Sequence, residues 1–237
     1  MTCGGDPNVS GIVVAGLTGV HTNNGTVTGC GTGILLSGGG SHHLNGLTAT
    51  GNVCCGGGGT GDGIRLEASH DNHINGSSAS LNHAVGVRMV GSDRNRLNMM
   101  VINSNEGPPT CGGVLLVDSD NNVVSSSDIS DNGDFGVEAF SGSDNNRIQS
   151  STVNGTNFFG SPTPRIVVFG GTGTVVRGNS ANGNSFGIAL FGATMSTVLS
   201  NTATGNTFFD LFEAIPGCDA NTWKDNTFGT SNDPCIN

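Results

Sequence analysis

Three histidines return at one phase of the chain. His21, His43 and His73 each lie nine residues after a β-branched residue, namely Ile12, Ile34 and Ile64. Neutral imidazoles bind Zn or Cu, and a carboxylate can complete such a set. His21, His43 and His73 with Asp71 are therefore a candidate metal site, with His42 and His70 close by. A second set is Arg65, Glu67, Arg88 and Glu138, with Asp62 just upstream. A guanidinium beside a carboxylate can hold an acidic group while the carboxylate moves a proton; the plainer reading is cross-strand ion pairing, which is worth little. Phe140, Phe169 and Phe191 form a third set, an apolar strip suited to packing under a loop, lining a ligand groove or meeting a protein. Asp93, Asp120 and Asp144 can collect Ca, but Ser-Asp-x-Asn is also an ordinary Asx turn. The turn reading is preferred because each Asp recurs with the repeat.

These sets acquire meaning only if something stacks them. The anchors Ile12, Ile34, Ile64, Val87, Val114, Val137, Ile166, Ile188 and Leu211 follow one another at steps of 22, 30, 23, 27, 23, 29, 22 and 23 residues. The unit is thus 22–23 residues, and the longer steps carry inserted loops. Within a unit, an apolar residue ten positions on (Leu44, Ile74, Leu97, Val124, Val176, Val198) follows a polar one (His42, Asn72, Asn95, Asn122), and an Asn closes the unit (Asn52, Asn82, Asn105, Asn132, Asn184, Asn206, with Thr156 the exception). Short period-two runs separated by turn residues read as three strands per unit. A single unit cannot bury its inner face alone, but stacked units can. No sustained helical period exists, and Gly and Asn interrupt every few residues. On this phase Ile102 points inward and Thr197 outward.

Composition narrows the partners. The chain has 237 residues, 41 of them Gly without a Gly-X-Y period, no Tyr, and a net charge of −10. An acidic surface repels phosphate backbones, which argues against nucleic acid, and no apolar stretch approaches the ~20 residues of a membrane span. Seven cysteines point to an oxidising compartment. The opening MTCGGDPNVSG has neither the basic start nor the apolar run of a signal peptide. A secreted or periplasmic location, with a leader already removed, is the expectation. Cys30 is expected to pair with Cys54 or Cys55 one coil above, the other reaching Cys111, while Cys218 and Cys235, with Trp223 and Phe228, are candidates for a C-terminal cap.

The pattern GIxLxxSxxNxIxxNxaxxN over about residues 10–230 resembles the right-handed parallel β-helix repeats of the pectate-lyase-like superfamily. It looks most like the short-coil carbohydrate-binding and sugar-hydrolysing members. The resemblance implies an all-β, single-stranded right-handed parallel β-helix solenoid of about nine coils, with residues 1–237 as one domain, 1–11 a frayed or truncated end and 212–237 a cap. It implies an extracytoplasmic protein that binds or cleaves a polysaccharide or oligosaccharide on the outer strand face, as a lyase or glycoside hydrolase. Arg65, Arg88, Glu138, Glu67 and Asp62 are then the candidate catalytic groups, and Phe140, Phe169 and Phe191 the ligand-binding ones. The family's Tyr acid, its Asp-Pro-His-Asp signature and its paired-Asp set are absent; TGDGIRL offers the single Asp62. The alternative is a non-catalytic scaffold that contacts a protein, or a metal (Ca, Zn or Cu) through the His row. End-to-end self-association through an uncapped N-terminal edge is a further expectation.

Overall fold

The computed structural model describes residues 1–54, 60–107, 111–140, 142–155, 164–218 and 220–237. Its strands are parallel and stack as about nine coils of a solenoid. Every anchor predicted from sequence lies on its neighbour: Ile12 pairs with Ile34, Ile34 with Ile64, Ile64 with Val87, Val87 with Val114, Val114 with Val137, Val137 with Ile166, Ile166 with Ile188 and Ile188 with Leu211. These strands form an anchor ladder, which runs through Asp62–Glu67, Val85–Val90, Gly112–Val117, Phe135–Phe140, Pro164–Phe169 and Phe186–Phe191. A middle ladder of three-residue strands runs through His73–Asn75, Arg96–Asn98, Val123–Ser125 and Arg147–Gln149. A closing ladder, mostly single bridges, carries Ala49, Ala79, Ile102, Ile129 and Val153 inward.

The glycine that precedes seven of the nine anchors has a steric cause; Arg165 stands before Ile166 and Asp210 before Leu211. The chain must turn sharply from the closing ladder into the anchor strand. A Cβ on Gly86 would collide with Ile102 Cγ2, and one on Gly136 with Val153 Cγ1. Only Gly lets the backbone approach so closely. The β-branched residue that follows then fills the interior: Ile34, Ile64, Val87, Val114 and Val137 are all at most 1% exposed.

Inside the corners, polar side chains stack as ladders. Asn82 donates from its backbone N–H and its Nδ2 to Asn105 Oδ1 at 3.0 Å each, and Asn105 donates in the same way to Asn132 Oδ1 at 3.1 and 2.9 Å. Asn72, Asn95, Asn122 and Asn146 repeat the backbone half of this at the next corner. Buried amides cost free energy unless satisfied; here each Oδ1 of these chains accepts from the coil beside it, while among the described residues Asn122 Nδ2 finds no partner. The row lapses after Asn132, where Thr156 lies outside the described residues. There the buried Arg165 donates from Nη1 to the carbonyls of Asn132 and Gly133, both at 2.9 Å.

One expectation about the ends needs revision. Residues 2–11 lie in the strand Thr2–Ala15, which pairs with the next coil through two register shifts. Cys30 bonds Cys3, Cα atoms 4.9 Å apart, rather than Cys54 or Cys55. One strand spacing separates first and second coil, so Cys3 lies within reach once its segment is ordered. Cys54 is disulfide-bonded, Cys55 lies outside the described residues, and Cys111 is a buried free thiol, not a cross-link. Cys218 and Cys235 are paired as expected, beside buried Trp223. Among the described residues no helix is long and apolar enough to cross a membrane.

The interior sets two expectations for stability. Ile102→Asp places a carboxylate with no partner in the closing ladder and abolishes the cooperative unfolding transition in a thermal melt, whereas Thr197→Ser, half-buried on the outside, leaves Tm nearly unchanged. Asn105→Ala removes the acceptor for two buried donors of Asn82 and costs about 3 kcal/mol or more, read by denaturant titration.

Candidate functional site

The anchor ladder turns two rows outward. The first is Leu35, Arg65, Arg88, Leu115, Glu138, Val167, Ala189 and Phe212, each in register with the next. The second is Ser37, Glu67, Val90, Val117 and Phe140, continued by Phe169 and Phe191. Three inserts precede anchor strands in the sequence, at 52–62, 105–113 and 156–165; residues 55–59 and 108–110 lie outside the described residues. Residues 156–163, expected to cover the phenylalanines, lie outside the described residues.

The structure gathers Asp62, Arg65, Glu67 and Arg88 into one network. Asp62 is fully buried. Its Oδ2 accepts from Arg65 Nη1 at 3.2 Å and Arg88 Nε at 2.9 Å, and its Oδ1 accepts from the Val85 backbone N–H at 3.2 Å. Arg65 Nε donates to Glu67 Oε1 at 2.6 Å. A carboxylate held by two guanidiniums and a backbone amide is a structural counter-ion with little nucleophilic character. It lets two arginines sit on adjacent coils, where unscreened like charges would repel.

Glu138 stands apart from this network. Leu115 separates it from Arg88, a distance of two coils or ~9.6 Å at the backbone. Its row neighbours Leu115 and Val167 are 6% and 1% exposed. Val85, Leu115 and Phe135 form a small apolar cluster on this outer face, with Val117 against it. Burial, with the charge of Asp134 adding to it, pushes the Glu138 carboxyl up to about 7. Among the described residues no hydrogen bond or ion pair reaches that carboxyl. It is thus half protonated near neutrality, the condition for a group that gives or takes a proton there.

Beyond Glu138 the face is aromatic. Phe140 and Phe169 meet edge-on at 6.0 Å between centroids, Phe169 and Phe191 stack at 4.9 Å, and Phe191 and Phe212 lie 5.2 Å apart. Phe140 remains 46% exposed, so the column offers an aromatic surface to the outside. Phe212 and the buried Arg165 were not among the sequence candidates. Phe212 shares Arg65's phase and was legible there, whereas Arg165 hides at the end of an insert.

The histidine row sits on the middle ladder, where His21 pairs with His43 and His43 with His73. The rings stack at 4.6 and 5.0 Å with interplanar angles of 12° and 23°. Stacked rings turn faces, not nitrogen lone pairs, towards each other. Asp71 is taken by Arg94 in a two-pronged ion pair at 2.8 and 2.9 Å, which holds its carboxyl below the usual range. His42 is fully buried, with its pKa lowered by that burial. Among the described residues, the one place where three donor side chains converge is Cys218, Asp233 and Cys235, and its two cysteines are bonded to each other. The residues present do not fit a Zn or Cu centre. Asp93, Asp120 and Asp144 each direct Oδ1 to the backbone N–H of the following coil, at 2.9, 2.8 and 2.7 Å, so those oxygens are committed to turns, not to Ca.

The family described as the right handed beta helix region matches residues 10–162. No curated protein matches the sequence. Among solved structures, the chain is similar to the periplasmic alginate epimerase AlgG, with a TM-score of 0.68 and 16% identity over 84% of this chain and 48% of that one. It is similar to the A-module of the Azotobacter vinelandii mannuronan C-5 epimerase AlgE6, at 0.70 and 17% over 91% and 61%. It is also similar to the DFA-IIIase of Arthrobacter chlorophenolicus A6, at 0.67 and 14% over 82% and 51%. The chain therefore spans about half to three-fifths of the length of these proteins, and at such identities the likeness concerns the fold. With well over half of its length matched and every anchor in the expected register, the chain belongs to the right-handed parallel β-helix family.

Proposed function

We propose that this is an extracytoplasmic, carbohydrate-directed protein that lays an oligosaccharide along the outer face of the anchor ladder. The observation that carries the reading is Glu138, a carboxyl raised to about 7 between an apolar pad and a column of phenylalanines. Phe140, Phe169 and Phe191 offer ring faces and edges to the apolar sides of sugar rings. Glu138 supplies the proton transfer, and the Asp62–Arg65–Glu67–Arg88 network borders the other end with guanidinium donors. The disulfides support an oxidising compartment. Solved structures similar to it include epimerases named for alginate and mannuronan, which supports the substrate class. A second reading, a non-catalytic scaffold for a protein partner, is favoured by the saturation of Asp62, which leaves Glu138 without an obvious carboxylate partner.

The experiment is an oligosaccharide panel scored for binding, for new reducing ends and for unsaturated products. Binding that Phe169→Ala weakens at least tenfold, with turnover that falls above pH 7 and is lost in Glu138→Gln, is the expected result. Binding without turnover selects the scaffold reading, and neither binding nor turnover rejects the carbohydrate reading.

Glu138 also marks the pH dependence of stability. Its folded pKa of about 7 lies above the ordinary glutamate value of 4.5, so between these pH values the folded state holds a proton that the unfolded chain has lost. Stability falls as pH rises through that window, and the full penalty is present above pH 7. Glu138→Gln therefore matches the wild type in Tm near pH 4 and exceeds it increasingly towards pH 8, in paired thermal melts.

A further inference from the structure

The cations of this protein are few, and their placement is uneven. Of eight Lys and Arg, Arg65 and Arg88 are bound to Asp62, Arg94 to Asp71, Lys224 lies 4.0 Å from Asp225, and Arg165 is buried. Three remain: Arg96, Arg147 and Arg177. All are exposed, and among the described residues no ion pair reaches any of them. All three lie on the outer face of the middle ladder, away from the anchor face.

Their register is fixed by the strands. His73 pairs with Arg96, Arg96 with Val123, and Val123 with Arg147; Gln149, two residues after Arg147, pairs with Arg177. Arg96 and Arg147 are thus two coils or ~9.6 Å apart. A groove of about 410 Å³ is lined by His43, His73, Asn75, Arg96 and Asn98. A second of about 350 Å³ is lined by Arg96, Asn145, Arg147 and Gln149, so Arg96 joins the two. Beside the cations runs a row of neutral polar groups: Asn45 donates to Asn23, Asn98 to Asn75, and Ser125 to Asn98 Oδ1. The nearest acidic row, Asp93, Asp120 and Asp144, is turned along the stack onto backbone N–H groups.

We infer that this face is a second binding surface, for a linear acidic polysaccharide lying parallel to the solenoid axis. Unpaired guanidiniums present forks that match carboxylates two-pronged. The amide and hydroxyl row beside them suits sugar hydroxyls. Single-stranded nucleic acid is less well served, because its bases seek open aromatic faces, and here His43 is sandwiched between His21 and His73, which cover each other's facing surfaces through it. The remaining surface of a chain with net charge −10 repels polyanions, so binding is confined to this strip. The surface stands on its own residues and holds whether or not Glu138 performs chemistry.

The test is affinity electrophoresis and calorimetry with polygalacturonate, neutral dextran and a single-stranded oligonucleotide. It compares the wild type, the triple variant Arg96→Gln, Arg147→Gln, Arg177→Gln, and Phe169→Ala. Expected are salt-sensitive binding of polygalacturonate and not of dextran, at least a tenfold loss in the triple variant with Tm unchanged, and little loss in Phe169→Ala. Equal affinity of triple variant and wild type, no binding of polygalacturonate at low salt, or tighter binding of the oligonucleotide overturns the inference. Loss in Phe169→Ala with none in the triple variant overturns it while supporting the anchor-face reading.

Discussion

Each coil of this protein offers backbone N–H groups to a carboxamide of the next, and the rest of the architecture depends on that exchange. Asn52, Asn82, Asn105 and Asn132 form one such chain, closed above by the Arg165 guanidinium. In a low-dielectric interior these bonds are stronger than in water, and a missing partner is costly. A slip of one residue between coils breaks the amide chain and also turns the aliphatic anchors outward. Register is therefore set twice, by apolar side chains and by the polar rows among them. Glycine before the anchor makes both possible, because it lets the turn into each strand press against Ile102, Ile129 or Val153.

Fixed register has a consequence for the outer surface: every residue there has a near neighbour of the same phase ~4.8 Å away. Aromatic residues benefit, and the Phe and His columns stack. Charges of one sign do not, and the sequence handles them in two ways. Arg65 and Arg88 are adjacent and share buried Asp62. Arg96 and Arg147 are separated by Val123, and Glu138 lies between Leu115 and Val167. The first arrangement spends its charge internally. The second leaves charges free: a half-protonated carboxyl on one face and open guanidiniums on another.

The register of the coils was legible in the sequence because it rests on one-dimensional spacing. The anchors, the closing Asn row and the composition of the outward rows all follow from counting. What was not legible depends on angles and on order at the ends. The His row was placed correctly, but whether imidazoles converge or stack is a matter of side-chain torsion, which spacing does not encode. Glu138 was grouped with Arg65 and Arg88 by type, although Leu115, readable in the same row, already divided them. Cys3 was passed over as a partner for Cys30 because its segment, rich in Gly and polar residues, has no strand pattern; its pairing comes from stacking on the second coil. Arg165 at the end of an insert reads as a loop charge, and only its contacts with Asn132 and Gly133 show it replacing a lapsed row.

A body whose layers touch only the layers above and below is weakest where a layer has one neighbour. Cys3–Cys30 ties the first described coil to the second, Cys218–Cys235 closes the last, Cys54 is bonded in an inner coil, and the thiol of Cys111 is left reduced. Two of these clasps thus sit where peeling of this stretch of chain would begin. So long as its surroundings keep them closed, the molecule comes apart as a whole or not at all; a reducing milieu turns it into something that can be shed a turn at a time, which is how a protease would prefer to meet it.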